Sequence, residues 1–208
     1  MYKKVLVLAP HTDDAELGCG GYISKLIAEG SEVYCVAFST AEKSIPAGLP
    51  KDITSKEIAV ATAYLGIKSK NLYVLNYEVR EFPAHRQEIL EDLIKFRTNI
   101  NPDLILIPNL NDIHQDHTTI AQEAVRAFKN RTILGYELPW NNLISSNTCY
   151  VKLTEEQINN KVEALKRYES QSGRVYTSEE AVVSLARIRG IQIGTEFAEM
   201  YEVIRWII

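Results

Sequence analysis

Val5-Leu6-Val7-Leu8-Ala9-Pro10-His11-Thr12-Asp13-Asp14-Ala15-Glu16-Leu17-Gly18-Cys19-Gly20-Gly21 is the stretch from which the rest of this chain is read. Val5 to Ala9 is an unbroken apolar run of strand length, as expected of a strand covered on both faces. Tyr22 to Ala28 then reads as a helix. One histidine and three carboxylates therefore fall where a first strand hands over to a first helix. Adjacent carboxylates repel one another and are costly to bury unless a cation or a proton neutralises them. The segment reads as half of a metal site.

Downstream, strands and helices alternate. Strands are expected over Glu32 to Ser39, Asn71 to Tyr77, Asp103 to Pro108 and Thr132 to Leu138. Helices are expected over Thr54 to Leu65, with Gly66 as the stop, and over Pro83 to Phe96 and Thr118 to Phe128. Thr40 to Asp52, with Pro46, Gly48 and Pro50, reads as a loop long enough to serve as a lid. The last part is less regular. A short strand over Thr148 to Leu153 precedes a helix from Thr154 to Tyr168, capped by Thr154 with Glu155 and Glu156 behind it. A loop from Gln171 to Tyr176, a helix from Ser178 to Arg187 and a closing strand from Tyr201 to Ile208 complete the chain. Alternation with several all-apolar strands implies a single-domain, Rossmann-like α/β fold over residues 1–208. Its sheet is mostly parallel and carries helices on both faces.

Composition narrows the function classes. The chain has 208 residues, 46% hydrophobic and 24% charged, with a net charge of −4, so a basic nucleic-acid face is not expected. No apolar run approaches the ~20 residues needed to span a bilayer. Three scattered cysteines, Cys19, Cys35 and Cys149, suit a reducing cytoplasm better than a disulfide framework. Cys19 reads as a small buried packing residue.

Ligands of open parallel sheets bind beyond the carboxyl ends of strands, where the strand order reverses. The first strand ends in His11-Thr12-Asp13-Asp14 and the fourth leads into Asp112-Ile113-His114-Gln115-Asp116-His117. Three of the four histidines lie in these two loops. A catalytic zinc wants three nitrogen or oxygen ligands and one open position. His11 and Asp14 can supply two and one histidine of the second cluster the third. Asp13 would then stand beside the metal as a general base, and the remaining histidine could serve a developing oxyanion. Taken singly, each residue has a simpler reading: a core histidine, or an aspartate capping the next helix. Two such clusters at two strand ends make that combination improbable. His85 is expected at the surface, Glu16 in support of its helix, and the glycines after it in close backbone packing.

These residues resemble the PIG-L/LmbE-like zinc-dependent N-deacetylases. Pro10-His11-Thr12-Asp13-Asp14-Ala15-Glu16 is similar to that family's first motif, A-H-P-D-D-x-E, and His114-Gln115-Asp116-His117 to its second, H-x-D-H. Ser170-Gln171, Arg187-Ile188-Arg189-Gly190, Gly194 and Phe197-Ala198-Glu199 look like its closing segments. The resemblance implies hydrolysis of the N-acetyl group of an N-acetylated amino sugar or glycoconjugate. It implies Zn2+, with Fe2+ or another divalent ion as alternatives, held by His11, Asp14 and His117. It implies Asp13 as base and acid, and His114 as oxyanion stabiliser oriented and charged by Asp116. Thr12 stands where proline is usual and loosens φ there. Tyr168 stands where many members have histidine. The arginine that some members use to hold the sugar has no counterpart, Thr54 and Lys56 occupying that neighbourhood.

Two rival readings are a non-haem iron enzyme built on the same two histidines and one aspartate, and a non-catalytic sugar-binding module. A homo-oligomer is compatible with the apolar final strand and with Trp140.

Overall fold

The structure is a computed structural model that describes residues 2–144, 146 and 148–208; Met1 of the opening segment lies outside them. Among the described residues seven strands form one sheet: β1 (Lys4–Ala9), β2 (Glu32–Ala37), β3 (Leu72–Val74), β4 (Leu104–Pro108), β5 (Thr132–Tyr136), β6 (Cys149–Leu153) and β7 (Phe197–Arg205). Their order is β3-β2-β1-β4-β5-β7-β6. The first five strands run parallel, and β7 lies antiparallel between β5 and β6. The expected mostly parallel α/β sheet is therefore what forms. The strand order reverses between β1 and β4, which pair as Val5 with Leu104 and Val7 with Leu106.

Among the described residues six helices cover the sheet: α1 (Asp14–Ala28), α2 (Ile53–Tyr64), α3 (Arg86–Ile100), α4 (Gln115–Ala127), α5 (Glu155–Leu165) and α6 (Glu179–Ile191). Side chains alternate across a strand, so β1 feeds both layers. Val5, Val7 and Ala9 pack with α1, α2, α5 and α6, while Leu6 and Leu8 pack with α3 and α4. All five are fully buried. Thr154 caps α5 as expected, and Ser178 caps α6.

Several boundaries depart from expectation. β3 is three residues long, not seven. β7 starts at Phe197 and stops at Arg205, because Phe197–Tyr201 pair with β6. The largest departure is in α1, which holds Glu16 in its first turn as expected but is interrupted at Cys19 (φ −147°, ψ 23°). The interruption frees backbone N–H groups in mid-helix. Glu199 of β7 accepts from Gly21 N at 3.0 Å and Tyr22 N at 2.8 Å, and so caps the second half of the helix. Lys161 Nζ, 2.8 Å from Glu199 Oε1, and the Tyr201 hydroxyl, which donates to Oε2, complete that buried cluster. The glycines do serve close packing: a Cβ on Gly18 would fall 2.2 Å from the Tyr136 ring.

Candidate metal centre

Two loops meet at the reversal point. The β1–α1 loop supplies His11, Asp13 and Asp14, and the β4–α4 loop supplies Asp112, His114, Asp116 and His117. His11 Nδ1, His117 Nε2 and Asp14 Oδ2 form a nearly equilateral triangle, with sides of 3.2 Å (His11–His117), 3.2 Å (His11–Asp14) and 3.3 Å (His117–Asp14).

The outward nitrogens of the two imidazoles decide what their inward nitrogens offer. His11 Nε2 meets Asp116 Oδ2 at 3.0 Å, and His117 Nδ1 meets Asp112 Oδ2 at 2.8 Å. Carboxylates only accept, so each outward nitrogen carries a proton and each inward nitrogen turns a lone pair toward the triangle. Two nitrogen lone pairs and a carboxylate oxygen converge at this spacing only around a proton or a cation. Tetrahedral ligands at the usual zinc bond lengths would lie about 3.3–3.4 Å apart, so this donor set fits a divalent ion.

His114 belongs to the same cluster without completing the triangle. Ligand nitrogens of His11, His114 and His117 gather within 4.8 Å of one another. However, His114 is also the N-cap of α4, and its Nδ1 accepts the Asp116 backbone N–H at 3.2 Å. Its proton therefore sits on Nε2, which is a donor and not a ligand. Burial and the neighbouring imidazoles His117 and His11 hold its pKa below the ordinary value, which keeps the ring neutral.

Electrostatics point the same way. Burial opposes charging His11, but the carboxylates of Asp116 and Asp14 outweigh it and lift its pKa to about 9. His117 rises to about 10 against burial, chiefly through Asp14 and Asp112. Asp14 is held well below the carboxylate range, burial notwithstanding, by His117 and His11. The triangle thus favours positive charge. Asp13 behaves differently: burial, followed by the Asp14 charge, pushes it up to about 6. It stands at the N-cap of α1 without using its side chain as a cap, and it lines the cavity over the triangle.

One expected pairing is corrected. The Asp116 carboxylate does not meet the His114 ring. It bonds His11 Nε2 and accepts Arg80 N–H at 2.7 Å, while only its backbone N–H reaches His114. As the second residue of α4, its side chain points across to β1, whereas His114 precedes the helix. Asp112 is the corresponding carboxylate on His117, a role that spacing alone does not assign; its position five residues before His117 is the available signal.

The cavity above the triangle has a volume of about 400 Å³. Ala41 and Ser44 of the expected lid loop line it, as do Trp140, Tyr176 and two arginines, Arg80 and Arg174. Sequence reasoning passes over both arginines. Arg80 is marked in the structure by its left-handed backbone (φ 73°). Thr54 instead donates to the Thr40 carbonyl at 2.7 Å, and Lys56 pairs with Asp52 at the surface. Behind the first loop, the Tyr168 hydroxyl donates to the Thr12 carbonyl and meets Glu16 Oε1 at 3.1 Å. Burial pushes the Glu16 pKa up to about 8, so it is a neutral acid supporting the loop. The Ser170 N–H and hydroxyl both donate to the Glu57 carboxylate. His85 is half-exposed, with its ring 6.0 Å from that of Tyr77.

Residues 6–128 match the family model PIG-L, GlcNAc-PI de-N-acetylase. An Escherichia coli K12 protein described as the uncharacterized deacetylase YaiS is 27% identical over 176 residues, covering 81% of this chain and 91% of that protein. The N,N'-diacetylchitobiose deacetylase of Pyrococcus horikoshii, solved with its inhibitor MPG, superposes with a TM-score of 0.83 at 25% identity, covering 98% of this chain and 84% of that one. The conserved protein TT1542 of Thermus thermophilus superposes with a TM-score of 0.82 at 26% identity, covering 100% of this chain and 97% of that one. With more than half of its length matched by that model, the chain belongs to the PIG-L family.

Proposed function

We propose that residues 1–208 form one metal-dependent N-deacetylase domain that removes the acetyl group from an N-acetylated amino sugar or its conjugate. The observation that carries this reading is the triangle of His11, Asp14 and His117 with a raised carboxylate, Asp13, beside it. His11, Asp14 and His117 would hold the ion. Zn2+ suits this donor set, with Fe2+ the alternative. When bound, the ion would acidify a water molecule and polarise the acyl oxygen.

The chain's own groups do the rest. Asp13 takes a proton from the attacking water as the new C–O bond forms. His114 donates its Nε2–H to the acyl oxygen as that atom becomes an oxyanion. Asp13 then gives the proton to the departing nitrogen as the C–N bond breaks, leaving acetate and a free amine. Asp116 and Asp112 orient the two ligand imidazoles through their outward nitrogens.

The relatives support an N-acetylated sugar as substrate: the P. horikoshii neighbour is a diacetylchitobiose deacetylase. A cytoplasmic setting suits three unpaired thiols.

The test is acetate release from N-acetylglucosaminides by wild type and Asp13→Asn, with metal content measured in parallel. Asp13→Asn is expected to keep its metal and to lose about 10²–10⁴-fold in kcat. Unchanged turnover would remove Asp13 from the mechanism.

A further inference from the structure

The cavity over the metal centre holds two cations that the proposed hydrolysis does not use. Arg80 and Arg174 both line it. Arg80 Nη2 reaches the Ser44 hydroxyl at 3.5 Å, and Arg174 Nη1 donates to the Tyr176 hydroxyl at 2.6 Å. Among the described residues neither guanidinium is paired with a carboxylate, whereas Arg86, Arg126 and Arg189 all are. Glu78, in the same loop as Arg80, is taken by Lys43. The acids in the lining, Asp13 and Asp14, belong to the metal centre. Burial, Asp14 and His11 all act on Asp13 more strongly than the Arg174 charge does. A guanidinium carries five N–H donors in a planar fork, so both side chains have donors to spare.

We propose that Arg80 and Arg174 form a subsite for a terminal anionic group, a phosphate monoester or a carboxylate, carried by the N-acetylated sugar. The inference rests on the deacetylase reading and names the substrate class of that same site. Three observations carry it. First, one cavity holds both the metal triangle and the arginines. A sugar bound by its amide at the triangle lies with its remaining groups against the rest of that lining. Second, the two unpaired charges select the ligand. A neutral sugar laid over them would strip their water without replacing it, whereas an anion gives charge-assisted and often two-pronged bonds. Third, both arginines are held in place. Arg80 has a left-handed backbone (φ 73°), which glycine adopts without strain and a longer side chain does not. Its N–H donates to Asp116 Oδ2 at 2.7 Å, the same oxygen that meets His11 Nε2, so its backbone is anchored to the metal centre itself. Arg174 is held by Tyr176, whose ring is stacked on Trp140 with centroids 4.2 Å apart.

The experiment compares kcat/KM of the metal-loaded protein on methyl, aminoethyl and carboxymethyl β-N-acetylglucosaminides and on the 1- and 6-phosphates of N-acetylglucosamine. At least one anionic substrate is expected to exceed the methyl glycoside by about tenfold or more, and the aminoethyl glycoside to fall below it. Which anion leads identifies the group and its place on the ring. Arg80→Gln and Arg174→Gln should each lower the anion-to-methyl ratio by about tenfold, while Arg80→Lys and Arg174→Lys keep part of it. The ratio is read within each variant, so a general loss of activity does not move it, and every one of these variants keeps the backbone N–H on Asp116. Acetate release with a flat series overturns the subsite and leaves the deacetylase reading intact. An anion preference that both Gln variants retain also overturns it, because the anion then sits elsewhere. Glucose 1-phosphate, glucose 6-phosphate and carboxymethyl glucoside, which have no amide, provide a readout independent of catalysis. In calorimetric titration at least one should bind the metal-loaded wild type and bind each Gln variant about tenfold more weakly. Such binding without acetate release from any substrate would uphold the subsite and reject the deacetylase reading. No binding by any of the three, or equal binding by the Gln variants, would reject the subsite.

Discussion

At the scale of single residues, the division of labour among the histidines follows from which ring nitrogen is already engaged. His114 and His117 are three positions apart, and spacing alone leaves either able to be the third ligand. The backbone N–H of Asp116 occupies His114 Nδ1, and the Asp112 carboxylate occupies His117 Nδ1. The arrangement leaves His114 a hydrogen to donate and His117 a lone pair to offer an ion. Asp112→Asn and Asp116→Asn should each weaken metal binding by about 10- to 100-fold, because an amide can present the wrong edge to the imidazole and no longer enriches its basicity. Competition with a chromophoric chelator measures this; unchanged affinity in both would reject the orienting role. On the proposed mechanism the acid limb of the pH profile belongs to Asp13. A base must be deprotonated, so kcat/KM should rise with pH up to no higher than about 6, where burial and Asp14 put this carboxyl, and a cation alongside would move the limb lower. A limb well above that value would assign the proton transfer to another group.

At the scale of elements, α1 is two helical pieces joined at Cys19, and the joint is held by Glu199 from the far end of the chain. The first piece carries Asp14 and the second runs along α5. Glu199→Gln leaves the Lys161 ammonium buried without its counter-charge, and both side chains are only 7% exposed. Losing one member of such a pair should cost about 3–5 kcal/mol in urea unfolding. A loss within experimental error would mean that the cap is dispensable. The continuation of the helix through Gly18, Gly20 and Gly21 is hidden in the sequence because glycines depress helix propensity. Tertiary contacts override that preference: Gly18 is where the Tyr136 ring comes against the helix, and a side chain there would collide with it. The strands most legible in the sequence are the fully buried ones, β1 and β4, whose apolar runs have no other satisfactory environment. β3 is overestimated from sequence because its Tyr73 and Val74 are exposed, so hydrophobicity there does not measure burial.

For the molecule as a whole, the metal centre and fold stability are linked through protons. His11 and His117 have ordinary values of 6.5 raised to about 9 and about 10, and Glu16 is raised from 4.5 to about 8. Raised values contribute stability that is fully present below the unfolded pKa and lost as pH climbs through the folded one. Chelator-treated protein should therefore unfold at progressively lower temperature as pH rises from about 6.5 to about 10. Zinc binds the deprotonated imidazoles and takes the place of their protons, so it should flatten the histidine part of that slope. Zinc at a hundred times its dissociation constant should add about 2.7 kcal/mol at fixed pH. Thermal unfolding across pH, with and without zinc, checks both; identical slopes would show that no ion binds at the triangle.

What the sequence by itself determined was the layer order and the meeting of two His/Asp loops. Buried parallel strands must be continuously apolar, and their carboxyl ends at the reversal point are where polar residues can gather. Only the tertiary structure decided the rest. It set which carboxylate serves which imidazole, brought Arg80, Arg174, Trp140 and Tyr176 to one cavity, and let a glutamate near the C-terminus cap a helix near the N-terminus. These depend on side-chain direction and on contacts between residues far apart in the chain, and neither is carried by local spacing or hydrophobic period.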